Sequence, residues 1–199
     1  MHMRSQRCVG FTAVLLLLAS CVSIGGGPYE GTVIDAETGK PIPGAFVVAV
    51  TSVSGADMVG SRSACGALDV QQADAQGRYR VARGLVGPAS YRYVTAYAPR
   101  YDSPETSGEG PFLRLKPFRG TDDERLASFV KWDSLIRCGE IEDIGPKLRP
   151  LYRAVDVEDR ALNAKNRHPG ARAGGLEEKL RGIEEFVAKE RAKVPGEKK

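Results

Sequence analysis

Gly31-Thr-Val-Ile-Asp-Ala-Glu-Thr-Gly-Lys-Pro-Ile-Pro-Gly-Ala-Phe-Val-Val-Ala-Val50 reads as a strand, a polar turn and a second strand, and this reading decides the fold. Val33 and Asp35 alternate with Thr32 and Ile34, and Glu37-Thr38-Gly39-Lys40 supplies turn chemistry. Pro41 and Pro43 cannot donate to a ladder, so they are restricted to strand edges or starts. From Ala45 to Val53 the chain is β-rich.

Outward from this stretch the pattern is Gly31-x-Val33-x-Asp35-x-x-Thr38-Gly39-x-Pro41-Ile42-x-Gly44-Ala45-x-Val47. It continues with Asp74-x-x-Gly77-x-Tyr79 and then Tyr97-Ala98-Pro99-x-Tyr101. Together these residues resemble the carboxypeptidase regulatory-like domain, over about residues 30 to 101. The resemblance implies a small transthyretin-like β-sandwich that is usually a non-catalytic module. Where that family has Gly before the last Tyr, this chain has Arg100.

Strands are predicted over roughly 30–35, 44–53, 66–73, 78–82, 91–98 and 112–116, with Ser54 to Ser63 as a Gly- and Ser-containing loop. Asp74-Ala75-Gln76-Gly77 reads as a hairpin turn with Gly at a position suited to positive φ. Short strands at this spacing suggest an antiparallel sandwich rather than a βαβ sheet. In the fifth strand Tyr91, Tyr93, Thr95 and Tyr97 alternate with Arg92, Val94, Ala96 and Ala98. The family alignment turns Val94, Ala96 and Ala98 inward. The tyrosines, Tyr91, Tyr93 and Tyr97, then form either an aromatic binding surface for glycan or peptide, or a face covered by the C-terminal helices; the second is the more ordinary. Asp102 to Pro111 reads as a surface loop, whose Asp102, Glu105 and Glu109 lack an EF-hand pattern.

From Thr121 the hydrophobic period changes from two to about 3.6. Thr121-Asp122-Asp123-Glu124 is a capping-box signature, and Leu126, Phe129, Val130, Trp132 and Ile136 share one side of a helix. Gly139 and Gly145-Pro146 are read as its break. A second helix is predicted from about Pro150 to Arg167, with Leu151, Tyr152, Val155 and Leu162 as its stripe. A third runs from Leu176 to about Ala192, carrying Leu176, Leu180, Ile183 and Val187. The fold class is therefore α+β: a transthyretin-like sandwich over residues 30–118, then about three helices within 119–199.

Arg4 and Arg7 precede the apolar run Val9 to Ala19, which is shorter than the roughly 20 residues a membrane-spanning helix needs. Leu18-Ala19-Ser20-Cys21 resembles a bacterial lipobox. This makes residues 1–20 a lipoprotein signal and Cys21 the acylated first residue, the alternatives being an uncleaved anchor or a signal cut elsewhere. Residues 21–29 become a short tether containing Gly25-Gly26-Gly27-Pro28. By resemblance to enterobacterial sorting rules, Val22 and Ser23 favour the periplasmic face of the outer membrane. Removing the signal leaves 27 basic against 25 acidic residues, so attachment is by lipid rather than charge, and nucleic acid is not an expected partner. The mature chain keeps Cys65 and Cys138. In an oxidising envelope compartment a disulfide between them is expected, against two independent buried thiols, and would contribute roughly 3 to 4 kcal/mol.

Zinc peptidases, transthyretin-like hydrolases and intradiol dioxygenases need several histidines, and after signal removal only His168 is left. No Gly-x-Ser-x-Gly context accompanies it. Asp133, Glu140, Glu142 and Asp143 are the carboxylates a hydrolase would have to use; Asp133 lies on the apolar side of its helix, where a partner such as Arg or a backbone amide is expected. No catalytic residue, metal site or cofactor is expected. The expected function is a lipid-anchored, non-catalytic binding or assembly module with envelope proteins or glycan as partners. The alternatives are a structural lipoprotein of a secretion or envelope complex and, further off, a carboxylate-dependent hydrolase.

Overall fold

The computed structural model describes residues 28–57, 60–82, 90–103, 105–106, 110–166 and 175–193. Seven strands come first: β1 (Tyr29–Asp35), β2 (Phe46–Asp57), β3 (Gly60–Gln72), β4 (Arg78–Val81), β5 (Ser90–Tyr97), β6 (Glu105–Thr106) and β7 (Phe112–Leu115). Helices follow: α1 (Asp122–Ser128), α2 (Val130–Asp133), a 3-10 turn (Ser134–Arg137), α3 (Ile141–Asn166) and α4 (Leu176–Ala192). The class is the expected α+β, with strands preceding helices.

The strands form two sheets, ordered β4-β1-β7 and β3-β2-β5-β6. One core lies between them, built from Val33, Val47, Ala49, Val81, Val94, Ala96, Leu113 and Leu115 among others. A second core lies on the far face of the four-stranded sheet, where Phe46, Val48, Val50, Leu68 and Tyr97 meet the helices. The run Phe46-Val-Val-Ala-Val50 is apolar at every position because β2 is covered on both faces: its even positions meet helices and its odd positions meet the other sheet.

Four expectations are corrected. Residues 54–57 and 60–63 are strand, not loop: pairing of β2 with β3 continues through Ser54↔Ser63 to Asp57↔Gly60, since cross-strand hydrogen bonds extend the ladder through weak β formers. The Asp74–Gly77 turn does not make a hairpin ladder. It carries the chain from one sheet to the other, where β4 pairs with β1, and the Gln71 and Asp69 side chains accept from the Arg80 and Ala82 amides instead. The sandwich is not wholly antiparallel, because β7 runs parallel to β1 with Val33 opposite Leu113; β7 returns after a long excursion, so no tight turn dictates its direction.

The fourth concerns helix limits. The first predicted helix winds tightly after Ser128, with the Phe129, Trp132 and Cys138 amides donating to carbonyls three residues back. A period near three brings Phe129, Trp132, Leu135 and Cys138 all inward and leaves Val130 55% exposed, contrary to its expected place on the buried side. The second predicted helix starts well before Pro150: α3 begins at Ile141 and runs through Gly145, Pro146 and Pro150. Each proline removes one helical hydrogen bond, freeing the carbonyls of Glu142 and Pro146. Glu142, Pro146 and Pro150 all lie on the exposed side of α3, so the freed carbonyls are not shut into the core.

The predicted stripes of the last two helices are buried or packed against the core. The amino end of α4 is held by Asp156 of α3, whose carboxylate accepts from the Leu176 and Glu177 amides at 2.7 and 2.9 Å. At α1 the predicted capping box is present, with Thr121 and Glu124 exchanging backbone-to-side-chain bonds.

Candidate functional site

The turn after β1 and the Tyr97-Ala98-Pro99-Arg100-Tyr101 stretch meet in space. Asp35 Oδ1 accepts from the Glu37 and Thr38 amides, each at 2.8 Å, and its Oδ2 accepts from the Tyr101 hydroxyl at 2.9 Å. The Thr38 amide first, then Tyr101, hold the Asp35 carboxyl below its ordinary value. Arg100 has φ of 65°, a left-handed conformation that costs an L residue about 1 kcal/mol or more. That turn aims the Arg100 amide at Glu158 Oε1, 2.9 Å away.

Glu158 and Arg125 form the joint between sandwich and helices. Arg125 is 4% exposed, and its Nε and Nη2 donate to Glu158 at 3.0 and 2.9 Å. Its remaining bonds go to sandwich carbonyls: Nη1 to Tyr101 at 2.6 Å and Nη2 to Ala98 at 3.2 Å. The guanidinium also lies 5.1 Å from the Phe129 ring centroid and 5.4 Å from that of Phe118. Glu158 Oε2 further accepts from Tyr97 at 2.8 Å. Burial opposes ionisation of Glu158, but the bonds from Arg125, Tyr97 and the Arg100 amide outweigh it, and the carboxyl is held below its ordinary value. Burial, then the Glu158 contact, push the Tyr97 hydroxyl far up.

Beside this joint opens a cleft of about 380 Å³ lined by Asp102, Ser103, Arg114, Lys116, Arg125, Ser128 and Lys131. Strand alternation explains the basic wall: Leu113 and Leu115 point into the sandwich core, so Arg114 and Lys116 turn outward together. Neither Arg114 nor Lys116 has an ion-pair partner among the described residues. Lys131 donates to the Ser103 carbonyl at 2.8 Å and lies 5.1 Å from the Trp132 ring centroid. Asp102 is the one acidic side chain among these lining residues.

Tyr93 and Tyr97 do not form an open binding surface. Tyr97 is fully buried and stacks edge-on against Trp132 at 5.8 Å, and Tyr93 is partly buried against the same helical core. The reason is that the helices cover this face of the sheet. Tyr91 pairs through its backbone with Ser52, and its side chain lies outside the described residues, as do Cys21, the signal and most of the tether. His168 and Glu109 also lie outside them.

The disulfide is present: Cys65 of β3 is bonded to Cys138, with Cα atoms 4.6 Å apart. A one-residue slip in the β2–β3 ladder makes this bond geometrically accessible. Thr51 pairs with Ala67 but Ser52 pairs with Cys65, so Gly66 is the extra residue of a β-bulge. Without the slip Cys65 would share a face with Ala67 and point away from the helices; with it, Cys65 joins the face of Val50 and Leu68.

Asp133 is paired with Lys179, at 2.7 and 2.8 Å, rather than with an arginine or an amide. Glu142 and Glu140 are exposed, Glu142 lying 3.1 Å from Arg191. Among the described residues no three His, Cys, Asp or Glu side chains are arranged to hold a metal ion, and no helix is long and apolar enough to cross a membrane. The Arg125–Glu158 joint and the basic cleft escaped sequence reasoning; an arginine in a helical stripe between apolar positions was the signal that pointed to the first. No protein-family model, curated protein or solved structure matches the chain.

Proposed function

We propose that this protein is a lipid-anchored, non-catalytic module of a bacterial cell envelope that binds or assembles with other envelope proteins. The observation that carries the reading is the Cys65–Cys138 disulfide, which ties sheet to helices and suits an oxidising compartment. The lipobox-like Leu18-Ala19-Ser20-Cys21 supports export by a lipoprotein route, and the resemblance to carboxypeptidase regulatory-like domains supports a binding role. Two further features favour binding over turnover. Asp133 is neutralised by Lys179, and the most buried carboxylate pair partner, Glu158, is consumed in holding sheet to helices.

The test is intact mass and co-purification from membranes of a producing bacterium. A mature chain starting at Cys21 with added acyl mass, two thiols that alkylate only after reduction, and a stoichiometric envelope protein partner are the expected results. An unacylated chain with free thiols overturns the envelope reading. Hydrolytic turnover abolished by Asp133→Asn without loss of fold overturns the non-catalytic one.

A further inference from the structure

We propose that the cleft between β7 and α1 binds a phosphate group in its hydrogen-phosphate or monoester form. Four cationic side chains, Arg114, Lys116, Arg125 and Lys131, reach one concavity of about 380 Å³, a volume suited to one small group rather than a polymer. Two of them, Arg114 on β7 and Lys116 just past its end, are both exposed and have no carboxylate partner among the described residues. This contrasts with Arg149, Arg153, Lys179 and Arg191, each of which has an acidic partner. Two uncompensated cations match the charge of about −1.5 to −2 that a phosphate monoester carries near pH 7.

The site is prepared as well as charged. Arg125 is locked by Glu158 and by the carbonyls of Ala98 and Tyr101, which together occupy four of its N–H groups; a guanidinium has five, and the last has no acceptor among the described residues. The Lys131 ammonium is oriented by the Ser103 carbonyl. Ser128 Oγ is used on the Arg125 carbonyl at 2.6 Å, which leaves its lone pairs rather than its proton toward any ligand. Asp102 selects among anions. A carboxylate is an acceptor only, so it accepts a hydrogen bond from the P–O–H of hydrogen phosphate or of a protonated monoester, and repels sulfate, which at neutral pH has no O–H to donate.

The proposal deepens the binding reading above, but its test reads the cleft alone and leaves the mass measurement untouched. Full-length protein in detergent is titrated with inorganic phosphate and with sulfate at matched ionic strength, following the melting temperature and the 31P line width. Phosphate is expected to broaden its 31P resonance and to raise the melting temperature by about 5 to 10 °C at a hundredfold excess over Kd, with sulfate doing markedly less. R114Q/K116Q is expected to lose both effects, the remote K40Q to keep them, and D102N to bring sulfate up to phosphate. Vesicles containing phosphatidic acid that displace inorganic phosphate assign the group to a lipid headgroup; vesicles that do not displace it assign it to a soluble ester. Absence of 31P broadening in the wild type overturns the proposal without reliance on any variant. Equal effects of sulfate and phosphate, or phosphate binding retained in R114Q/K116Q, overturn it as well.

Discussion

Cys65 faces Cys138 because the β2–β3 ladder slips by one residue at Gly66. Deleting Gly66 removes the extra residue yet keeps Cys65 opposite Ser52, so Cys65 stays on the face of Val50 and Leu68, toward the helices. Both thiols of the deletion variant are therefore expected to alkylate only after reduction, and thiols that alkylate without it would show that Gly66 is not the extra residue of the ladder. The bond closes a separation of 73 residues, which the chain-entropy relation values at about 4 kcal/mol. Melting with and without reductant checks this, and a wild type indifferent to reductant refutes it.

Breaking the Arg125–Glu158 pair from either side leaves a buried charge behind. Arg125→Ala and Glu158→Ala are each expected to cost about 3 to 5 kcal/mol in urea unfolding. The double variant Arg125→Met with Glu158→Leu should cost less than either single change, because no charge is then stranded. In a cycle completed by Arg125→Ala/Glu158→Ala, strictly additive costs would show that the two residues act independently.

The same pair sets the acid limb of stability. Glu158 has its folded pKa below the unfolded value of about 4.3, and Asp35 is displaced in the same direction, so the unfolded chain takes up protons first as pH falls. Their contribution is complete above that value and is lost as pH drops through the folded pKa. Urea midpoints should hold from about pH 6 to 5, fall below about pH 4, and fall less steeply in Glu158→Gln. At the alkaline end Tyr97 moves upward, so the stability it confers is lost as pH rises past about 10, and Tyr97→Phe should remove that loss.

Two turn glycines separate conformational strain from collision. Gly39 and Gly77 have φ of 68° and 72°, yet a Cβ at Gly39 meets nothing within 4 Å, whereas at Gly77 it would lie 2.8 Å from the Val33 carbonyl oxygen. Gly39→Ala is expected to cost about 1 kcal/mol from the left-handed backbone alone, and Gly77→Ala distinctly more. Equal unfolding energies for the two would contradict the close approach of the Gly77 turn to β1.

The strands that alternate strongly, and the α4 stripe of Leu176, Leu180, Ile183 and Val187, were legible because local periodicity reports directly on which face is buried. What was not legible depends on distant partners. Ser54 to Ser63 has loop composition but is held by its neighbour strand, and Val130 is turned outward by a tightened backbone. Pro146 and Pro150 look like a helix boundary, and only their common exposed side explains why α3 passes through them. Arg125 and Glu158 lie 33 residues apart, so nothing local announces that they meet. The cleft is assembled from β7, α1, α2 and the segment after β5, and no single stretch contains it.

The α4 helix is held at its amino end by Asp156 and by burial of Leu176 and Leu180. These contacts are made between α3 and α4 themselves. The chain can be opened between residues 166 and 175, with new termini placed there, and the severed helix should still seat itself, provided Gly175 keeps its lack of a side chain against the Asp156 carboxylate. That makes α4 a detachable piece, suited to complementation between two separately produced fragments.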